Sequence, residues 1–326
     1  MNRKHFFRHL TAVVIAMAAL PVLPQTPAAA AYPSKQIKII VGYSPGGAND
    51  ILARILAQKM QEGLSQPVVV ENRPSTGAIV GSQAVAQAAP DGYTLLMGAS
   101  GPIVFNPALY ANLPYSPQKD FAPISMVGTF PLVLVVQGSS PHKTLAEVVA
   151  FSKANAAKSN YGASAASFRL ATELLKSKTG ILAEHIPYKG SMESINAVAS
   201  GQVTMTLVDS GPAAGALKGG LLRALAVTSP RRLAAFPDVP TMAEQGIDLT
   251  IQLWSGLLAP AATPQAIIQK LAAEVQRIVK LPDVRERMLA LAIDPEGNTP
   301  EQFAKVIAVE IPLWAEVAKA NNIKAD

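Results

Sequence analysis

Hydrophobic and polar positions alternate between two spacings along most of the chain. Residues 37–41 form a continuous apolar run, and the apolar positions after a glycine-rich loop recur every three or four residues. A short apolar run is typical of a buried strand, whereas the second spacing is typical of a helix with one face on a sheet. The pattern therefore predicts a strand at residues 37–41 and a helix that stops near Gly63. The apolar face of this helix comprises Ile51, Leu52, Ile55, Leu56 and Met60.

The same alternation continues to about residue 258. Strands that alternate with helices favour a mainly parallel sheet that helices cover on both faces. The further predicted strands are 68–70, 94–97, 131–136, 184–187, 203–208, 222–228 and 251–258, and the further predicted helices are 79–88, 144–156 and 170–178.

The pattern after residue 263 is helical only. Thr263 and Pro264 are predicted as the N-cap and first residue of one helix, and a last helix is predicted to start at residues 299–301. Pro312 is expected to kink or divide this last helix. The apolar stripe of the first of these helices comprises Ile267, Ile268, Leu271, Val275, Ile278 and Val279.

This order of elements predicts an α/β protein of two domains, each a mainly parallel sheet flanked by helices, with a ligand cleft between them. Residues 32–130 and 254–326 are assigned to the first domain, and residues 131–253 to an inserted second domain. Two connections would then cross between the domains, near Phe130 and Leu253.

Residues 1–31 are interpreted as a secretory signal peptide. Arg3, Lys4 and Arg8 form a basic start, residues 10–23 are mostly apolar but short for a membrane span, and alanines at 29–31 suit signal cleavage. No cysteine follows for a lipid anchor. We therefore expect a mature, periplasmic protein that begins near Tyr32 and is not inserted in the membrane.

Composition narrows the function classes. The mature chain has a formal charge of about (28 − 3) − 22 = +3 and no basic run, which argues against nucleic acid and suits a small anionic ligand. Cysteine is absent, and only His142 and His185 remain after the signal, so metal sites and histidine-based triads are poorly supported. No cofactor and no metal are expected. The G-x-S-x-G motif that would indicate a serine nucleophile is also absent from the sequence. His185 is interpreted as structural.

The loop GYSPGGANDILAR at residues 42–54 is the first candidate for ligand binding. Glycines 46 and 47 allow a close backbone approach, and the helix that follows presents unpaired N–H groups. Asp50 would repel a dianionic phosphate but tolerate a carboxylate held by the backbone. The alternative is that the glycines only form a tight turn and that Asp50 only caps the helix.

Three other segments carry candidate ligand groups. In the second loop, residues 161–169, the hydroxyls of Ser164 and Ser167 would donate hydrogen bonds to the ligand. Arg169 would bind a second carboxylate of the ligand, and the alternative is that Arg169 is an ordinary surface residue. Asp209 ends a predicted strand, where ligand-facing residues cluster, or it caps a helix at 213–217. Residues 98–101 end another strand and include Ser100.

Several segments together resemble the tripartite tricarboxylate transporter substrate-binding proteins, the Bug-type periplasmic solute receptors. The resemblance covers essentially the whole mature chain. The segments are YPSKQIKIIVGYSPGGANDILARILAQKM, QPVVVENRPSTGAIVGSQAVAQAAPDGYTLLMG, NPALYANLPYSPQKDFAPISMVG, HIPYKGSMESINAVASGQV, LRALAVTSPRR, FPDVPTMAEQG and WSGLLAPAATP.

The resemblance implies a two-domain Venus-flytrap receptor that holds a carboxylate mainly through backbone N–H groups and ordered waters. The second loop departs from the family, which usually has a longer G-S-x-G-x-G-S segment followed by a histidine; Arg169 takes the histidine position. The loops and the resemblance together give the candidate ligand-binding residues Tyr43, Pro45, Gly46, Gly47, Asn49, Asp50, Ala99, Ser100, Ser164, Ser167, Arg169 and Asp209.

We therefore expect a periplasmic solute-binding protein, not an enzyme, that captures a small organic carboxylate for a tripartite tricarboxylate-type transporter. A dicarboxylate or an aromatic acid is favoured, with the membrane permease subunits as partners and a monomeric receptor. Two alternatives stay open. One is a ligand-sensing adaptor for a signalling system, and the other is a periplasmic enzyme that uses Asp50 or Asp209 as a general base.

Overall fold

A computed structural model describes residues 32–324, so the predicted signal peptide lies outside the described residues. The helices and strands of the described part follow the predicted alternation closely. The strands are β1 Ile37–Val41, β2 Val68–Asn72, β3 Thr94–Ala99, β4 Phe121–Gln137, β5 Asn160–Ala163, β6 Glu184–Pro187, β7 Met205–Asp209, β8 Leu222–Val227, β9 Gln252–Pro260 and β10 Asp294–Pro295. The helices are α1 Ala48–Leu64, α2 Ile79–Ala86, α3 Asn106–Leu109, α4 Pro117–Asp120, α5 Leu145–Ala154, α6 Ala166–Thr179, α7 Ser191–Ala199, α8 Ser210–Lys218, α9 Gln265–Ile278, α10 Pro282–Ala290 and α11 Pro300–Ala320.

The strands form a mixed sheet in the order β2-β1-β3-β9-β4-β7-β5-β6, with β8 and β10 also paired to β4. The pairs β1–β2, β1–β3, β5–β6 and β5–β7 are parallel, as the alternation of strands and helices predicts. Every pair that involves β4 or β9 is antiparallel. The α/β class is confirmed, and its parallel strands flank an antiparallel centre.

Strand β4 is much longer than the predicted strand at 131–136. It has 17 residues, and its first part, through Pro131, pairs with β9, whereas Leu132 onwards pairs with β7 and β8. Pro123 and Pro131 lie within it and weaken the strand pattern in the sequence, because proline donates no ladder hydrogen bond. The predicted domain boundary at 130/131 falls inside this strand, and the domain assignment stays a prediction.

Several helix boundaries differ from those predicted. Helix α1 continues through Gly63 and ends at Leu64, before the left-handed Ser65 (φ 52°). Helix α6 begins at Ala166 instead of near residue 170, and α7 was missed, whereas α10 lies in the segment predicted only as helical. The starts of α6 and α7 carry no side-chain cap, which is one of the signals that mark a helix in sequence.

The two helix starts predicted near the C-terminus differ in their caps. Thr263 is not the cap of α9, because its hydroxyl donates to the Pro260 carbonyl (2.7 Å) and Pro264 occupies the N-cap position. Thr299 does cap α11, in a reciprocal capping box with Gln302. Helix α11 runs through Pro312 without being divided.

The central sheet packs closely against α11. Trp254 on β9 lies edge-on to Phe303 of α11, with ring centroids 5.0 Å apart, and both side chains are buried. The Trp254 indole N–H also donates to Glu310 of the same helix (2.8 Å). Gly256 lies under the Phe303 ring, and a Cβ atom there would overlap it. Only glycine permits this approach.

We expect Gly256→Ala to lower the free energy of unfolding by about 1–3 kcal/mol, because neither the β9 backbone nor the buried Phe303 ring has room to move. Urea unfolding measures this change. Gly215→Ala in α8 is the control, since nothing lies within 4 Å of the added methyl group and alanine favours a helix. Equal stabilities for the two variants would contradict the packing argument.

Candidate functional site

A small cavity lies where several strands end and helices begin. Its lining follows β1, β3, β5, β6 and β7, each of which leads into a helix. In open α/β sheets, ligands bind beyond the carboxyl ends of the strands, which is the position of this cavity. The cavity is lined by Tyr43, Gly47, Asn49, Ala99, Ser100, Phe130, Ser164, Ala165, Ser167, Phe168, Ser191, Asp209 and Leu253.

Helix N-termini converge on this cavity. Gly47 and Ala165 occupy the N-cap positions of α1 and α6, which have 17 and 14 residues, and Ser191 is the first residue of α7. Ser100 precedes a π-helical turn, Gly101–Phe105, that continues into α3. Because the first N–H groups of a helix lack partners within the helix and carry partial positive charge, this arrangement favours an anion. No lysine, arginine or histidine of the described residues lines the cavity.

The first loop holds its shape through Asp50. Its carboxylate accepts hydrogen bonds from the Gly46 N–H (3.0 Å), from Arg54 (2.9 and 3.0 Å) and from the Asn72 amide (2.9 Å). Burial raises the pKa of Asp50, but these hydrogen bonds outweigh burial and leave the pKa below its ordinary value. Asp50 therefore stays charged and serves the loop rather than the cavity, which it does not line.

The glycine at position 46 fits the loop against a neighbouring segment. Its φ of 90° lies in the left-handed region, and a side chain there would meet Met192 at 2.9 Å. Ser44 continues the contact, because its hydroxyl donates to Glu193 (2.6 Å) and its N–H to the Lys189 carbonyl (3.2 Å). Pro45 is exposed, and neither Pro45 nor Gly46 lines the cavity.

The second loop is divided by the early start of α6. Ser164 and Ser167 are buried and line the cavity, so the structure brings them to the first loop as the sequence predicts. Arg169 is not brought there. It lies one residue beyond the lining segment of α6, along a separate groove with Glu173 and Lys176.

Asp209 lies at the junction of β7 and α8 and is only 2% exposed. Its Oδ2 atom accepts the Ser191 hydroxyl (2.7 Å) and the Ala48 N–H of α1 (3.3 Å). Burial raises the pKa of Asp209 to about 6, and these two hydrogen bonds only partly oppose that rise. Asp209 occupies the N-cap position of α8, but its side chain makes no capping hydrogen bond, so the cap interpretation is wrong.

Three buried polar atoms of the lining residues have no hydrogen-bond partner among the described residues. They are the Tyr43 hydroxyl, the Ser164 hydroxyl and the Asp209 Oδ1 atom. Buried polar groups in proteins are nearly always hydrogen-bonded, and leaving one unsatisfied costs about 1–3 kcal/mol. A ligand that offered hydrogen bonds to these atoms would remove that cost.

Sequence reasoning missed five residues of the lining. Ser191 was missed because α7 has no side-chain cap, although its segment belongs to the motif HIPYKGSMES. Phe130 and Leu253 were noted only as crossing points, and they pair directly across β4 and β9. Ala165 and Phe168 flank the two serines of the second loop and carry no polar signal. His185 is not in the lining; its ring packs 5.2 Å from that of Tyr161, in agreement with a structural role.

The fold and this cavity define a solute-binding receptor, and the chain belongs to the tripartite tricarboxylate transporter receptor family, whose model matches residues 52–323. Among characterised relatives, Protein BugT of Bordetella pertussis (strain Tohama I) is 35% identical over 316 residues. These residues cover 96% of this chain and 95% of BugT. The likeness therefore extends over nearly the full length of both proteins.

Solved structures of periplasmic binding proteins share the fold. Rpa4515 of R. palustris, solved with adipate, has a TM-score of 0.87 and 29% identity, covering 90% of this chain and 99% of its own. MatC of Rhodopseudomonas palustris, solved with bound malate, has a TM-score of 0.84 and 30% identity, covering 88% and 99%. Such binding proteins have the two-domain fold that the sequence predicts.

Other kinds of site find no support in the described residues. No group of three or more histidine, aspartate or glutamate side chains is placed to hold a metal ion. Across residues 32–324, every helix is too short or too polar to cross a bilayer.

We expect Asp50→Ala to lower the free energy of unfolding by about 2–3 kcal/mol, because it leaves the Gly46 N–H and one amide N–H of Asn72 unsatisfied next to a half-exposed Arg54. Chemical denaturation measures this loss. Asp283→Ala is the matched control, since it also removes a carboxylate paired with a cation, here Lys59, but on the surface. A loss no larger than that of the control would contradict the scaffolding role of Asp50.

Asp209 should make the ligand-free protein less stable as pH rises. The folded-state pKa of about 6 exceeds the ordinary 3.8, so unfolding releases a proton between these values. The stabilisation is present below pH 3.8 and is lost as pH rises through 6, by up to about 3 kcal/mol. Unfolding free energies of the wild type minus those of Asp209→Asn, measured from pH 4 to pH 7, should fall by this amount. A difference independent of pH would contradict the burial argument.

Proposed function

We propose that this protein is a periplasmic receptor that captures a small organic carboxylate in the described cavity and delivers it to the permease of a tripartite tricarboxylate-type transporter. It acts as a monomer and performs no covalent chemistry on the ligand. Residues 1–31 direct its export and are removed near Tyr32.

One observation carries the proposal, namely the convergence of helix N-termini on a buried cavity without basic side chains. A carboxylate accepts several N–H and O–H hydrogen bonds at once, and each contributes about 1.5–3 kcal/mol when one partner is charged. Two or three such bonds supply much of a micromolar affinity, which corresponds to about −8 kcal/mol. The Tyr43 and Ser164 hydroxyls add donors that residues 32–324 leave unsatisfied.

The relatives support a carboxylate as the ligand class. The adipate of Rpa4515 and the malate of MatC are both small dicarboxylates. The cavity has only about 20 Å³ of free space, room for about one water molecule, so a dicarboxylate requires the cleft to open before it enters. Arg169 lies along another groove. The second carboxylate of a dicarboxylate ligand would therefore accept hydrogen bonds from backbone N–H groups and hydroxyls instead of from the Arg169 guanidinium.

Ligand capture would work by closure of the cleft between residues 32–130 with 254–326 and residues 131–253. The first loop reaches the other segment through Ser44 to Glu193 and through the Ala48 N–H to Asp209. A ligand that contacts both sides binds the closed form better, and this differential affinity shifts the equilibrium to closure. Asp50, one of the two candidate general bases of the enzyme alternative, lies outside the cavity and is engaged by Arg54.

We expect Tyr43→Phe to weaken carboxylate binding about ten- to hundred-fold, because it removes one donor to a charged group. Calorimetric titration with malate, succinate and adipate measures the affinity. Tyr93→Phe is the matched control, since its hydroxyl contacts Ser34 outside the cavity. Mass spectrometry of the ligand after incubation should recover it unchanged.

Two outcomes would contradict the proposal. Binding of neutral sugars but of no carboxylate would reject the ligand class. Equal losses of affinity in the Tyr43 and Tyr93 variants would reject this cavity as the site.

A further inference from the structure

Asp209 places a carboxylate in the wall of a cavity that otherwise suits an anion. The side chain is almost fully buried, and Oδ2 is held by Ser191 and by the Ala48 N–H. The second oxygen, Oδ1, is buried and accepts no hydrogen bond from the described residues. Half of this carboxylate is therefore anchored and the other half is unsatisfied.

Nothing in the wall neutralises this group. The lining residues of the cavity include no cation, and Asp209 does not cap α8. A second carboxylate brought in by a ligand would repel it, since like charges at close range in a buried site disfavour each other. A hydrogen-bond donor on the ligand would offset that repulsion.

The position of Asp209 indicates where on the ligand this donor lies. Because the Ala48 N–H that it accepts belongs to the first turn of α1, the carboxylate of Asp209 lies at one of the helix N-termini that would hold the ligand carboxylate. A donor that reaches Asp209 from there must be close to the bound carboxylate. The carbon next to a carboxylate carries such a donor in 2-hydroxy and 2-amino acids.

We propose that Asp209 makes this receptor selective for carboxylates that carry a hydroxyl or ammonium group on the adjacent carbon, with Oδ1 as the acceptor. This inference rests on the proposed function. Asp209 is a specificity-determining residue in this role, and Ser191 positions it by fixing Oδ2. The competing interpretation is that Asp209 only ties α1 to β7 and α7.

The full chain titrated calorimetrically with matched ligands separates the two interpretations. Succinate, malate and aspartate differ only in the hydrogen, hydroxyl or ammonium group on carbon 2, and glutarate, 2-hydroxyglutarate and glutamate repeat the comparison one carbon longer. In each series, one of the two substituted acids should bind more tightly than the other. We expect the wild type to bind that acid at least ten-fold more tightly than the unsubstituted acid. Calorimetry of each ligand also reports whether the ammonium or the hydroxyl is the natural donor.

Asp209→Asn keeps the shape of the side chain and its ability to accept a hydrogen bond but removes its charge. We expect the variant to bind succinate more tightly than the wild type, because the repulsion is removed, while the preference for aspartate over succinate falls by more than ten-fold and that for malate falls less. A purely structural tether would instead weaken all three ligands equally. Ser191→Ala releases Oδ2 but keeps the charge of Asp209, so the preference should fall less than in Asp209→Asn.

The wild-type comparison decides the matter even if the variant does not fold. If carboxylates bind but substituted and unsubstituted acids bind equally, the inference about Asp209 is overturned and the proposed function stands. If no carboxylate of either series binds, while the protein is folded by circular dichroism, the proposed function fails with it.

Discussion

The pairing of β4 with β9 is the interaction on which the rest of the structure depends. Nine residues of β4 pair with β9, and the remainder of the same strand pairs with β7 and β8, so one segment of chain joins both parts of the sheet. Both strands are buried along nearly their whole length. Because the parallel strands flank this centre, their carboxyl ends and the helices that follow converge around Phe130 and Leu253. The cavity is a consequence of that arrangement.

The proposed carboxylate site relies on backbone N–H groups where many anion sites use arginine or lysine. Helix N-termini offer fixed N–H groups, and no side-chain entropy is lost in ordering them. The serine and alanine side chains of the lining are small, so a ligand can approach these backbone groups closely. A site of this kind is selective through shape and hydrogen-bond geometry more than through net charge. This accords with a chain whose mature charge is only mildly positive.

Asp50, outside the cavity, and Asp209, in its wall, illustrate how burial and hydrogen bonding decide the role of a carboxylate. Asp50 receives four hydrogen bonds, including two from a guanidinium, and its pKa is lowered despite burial. Asp209 receives two and meets no cation in the wall, so burial dominates and its pKa rises to about 6. The first carboxylate is therefore consumed by the loop, whereas the second keeps one oxygen for another partner.

The sequence by itself determined the strands and helices with strong periodicity, such as β1, α1 and α9, and the segments from which Tyr43, Ser100, Ser164 and Asp209 reach the cavity. These features depend on local patterns, since a strand, a glycine turn and a helix start each require particular residue types at neighbouring positions. Only the tertiary structure decided that Asp50 and Arg169 lie outside the cavity, and that Ser191, Phe130 and Leu253 lie within it. The physical reason is that these positions depend on contacts between residues far apart in the chain: Ser191 with Asp209, Asp50 with Asn72, and Phe130 with Leu253. Periodicity along a sequence carries no information about such pairs.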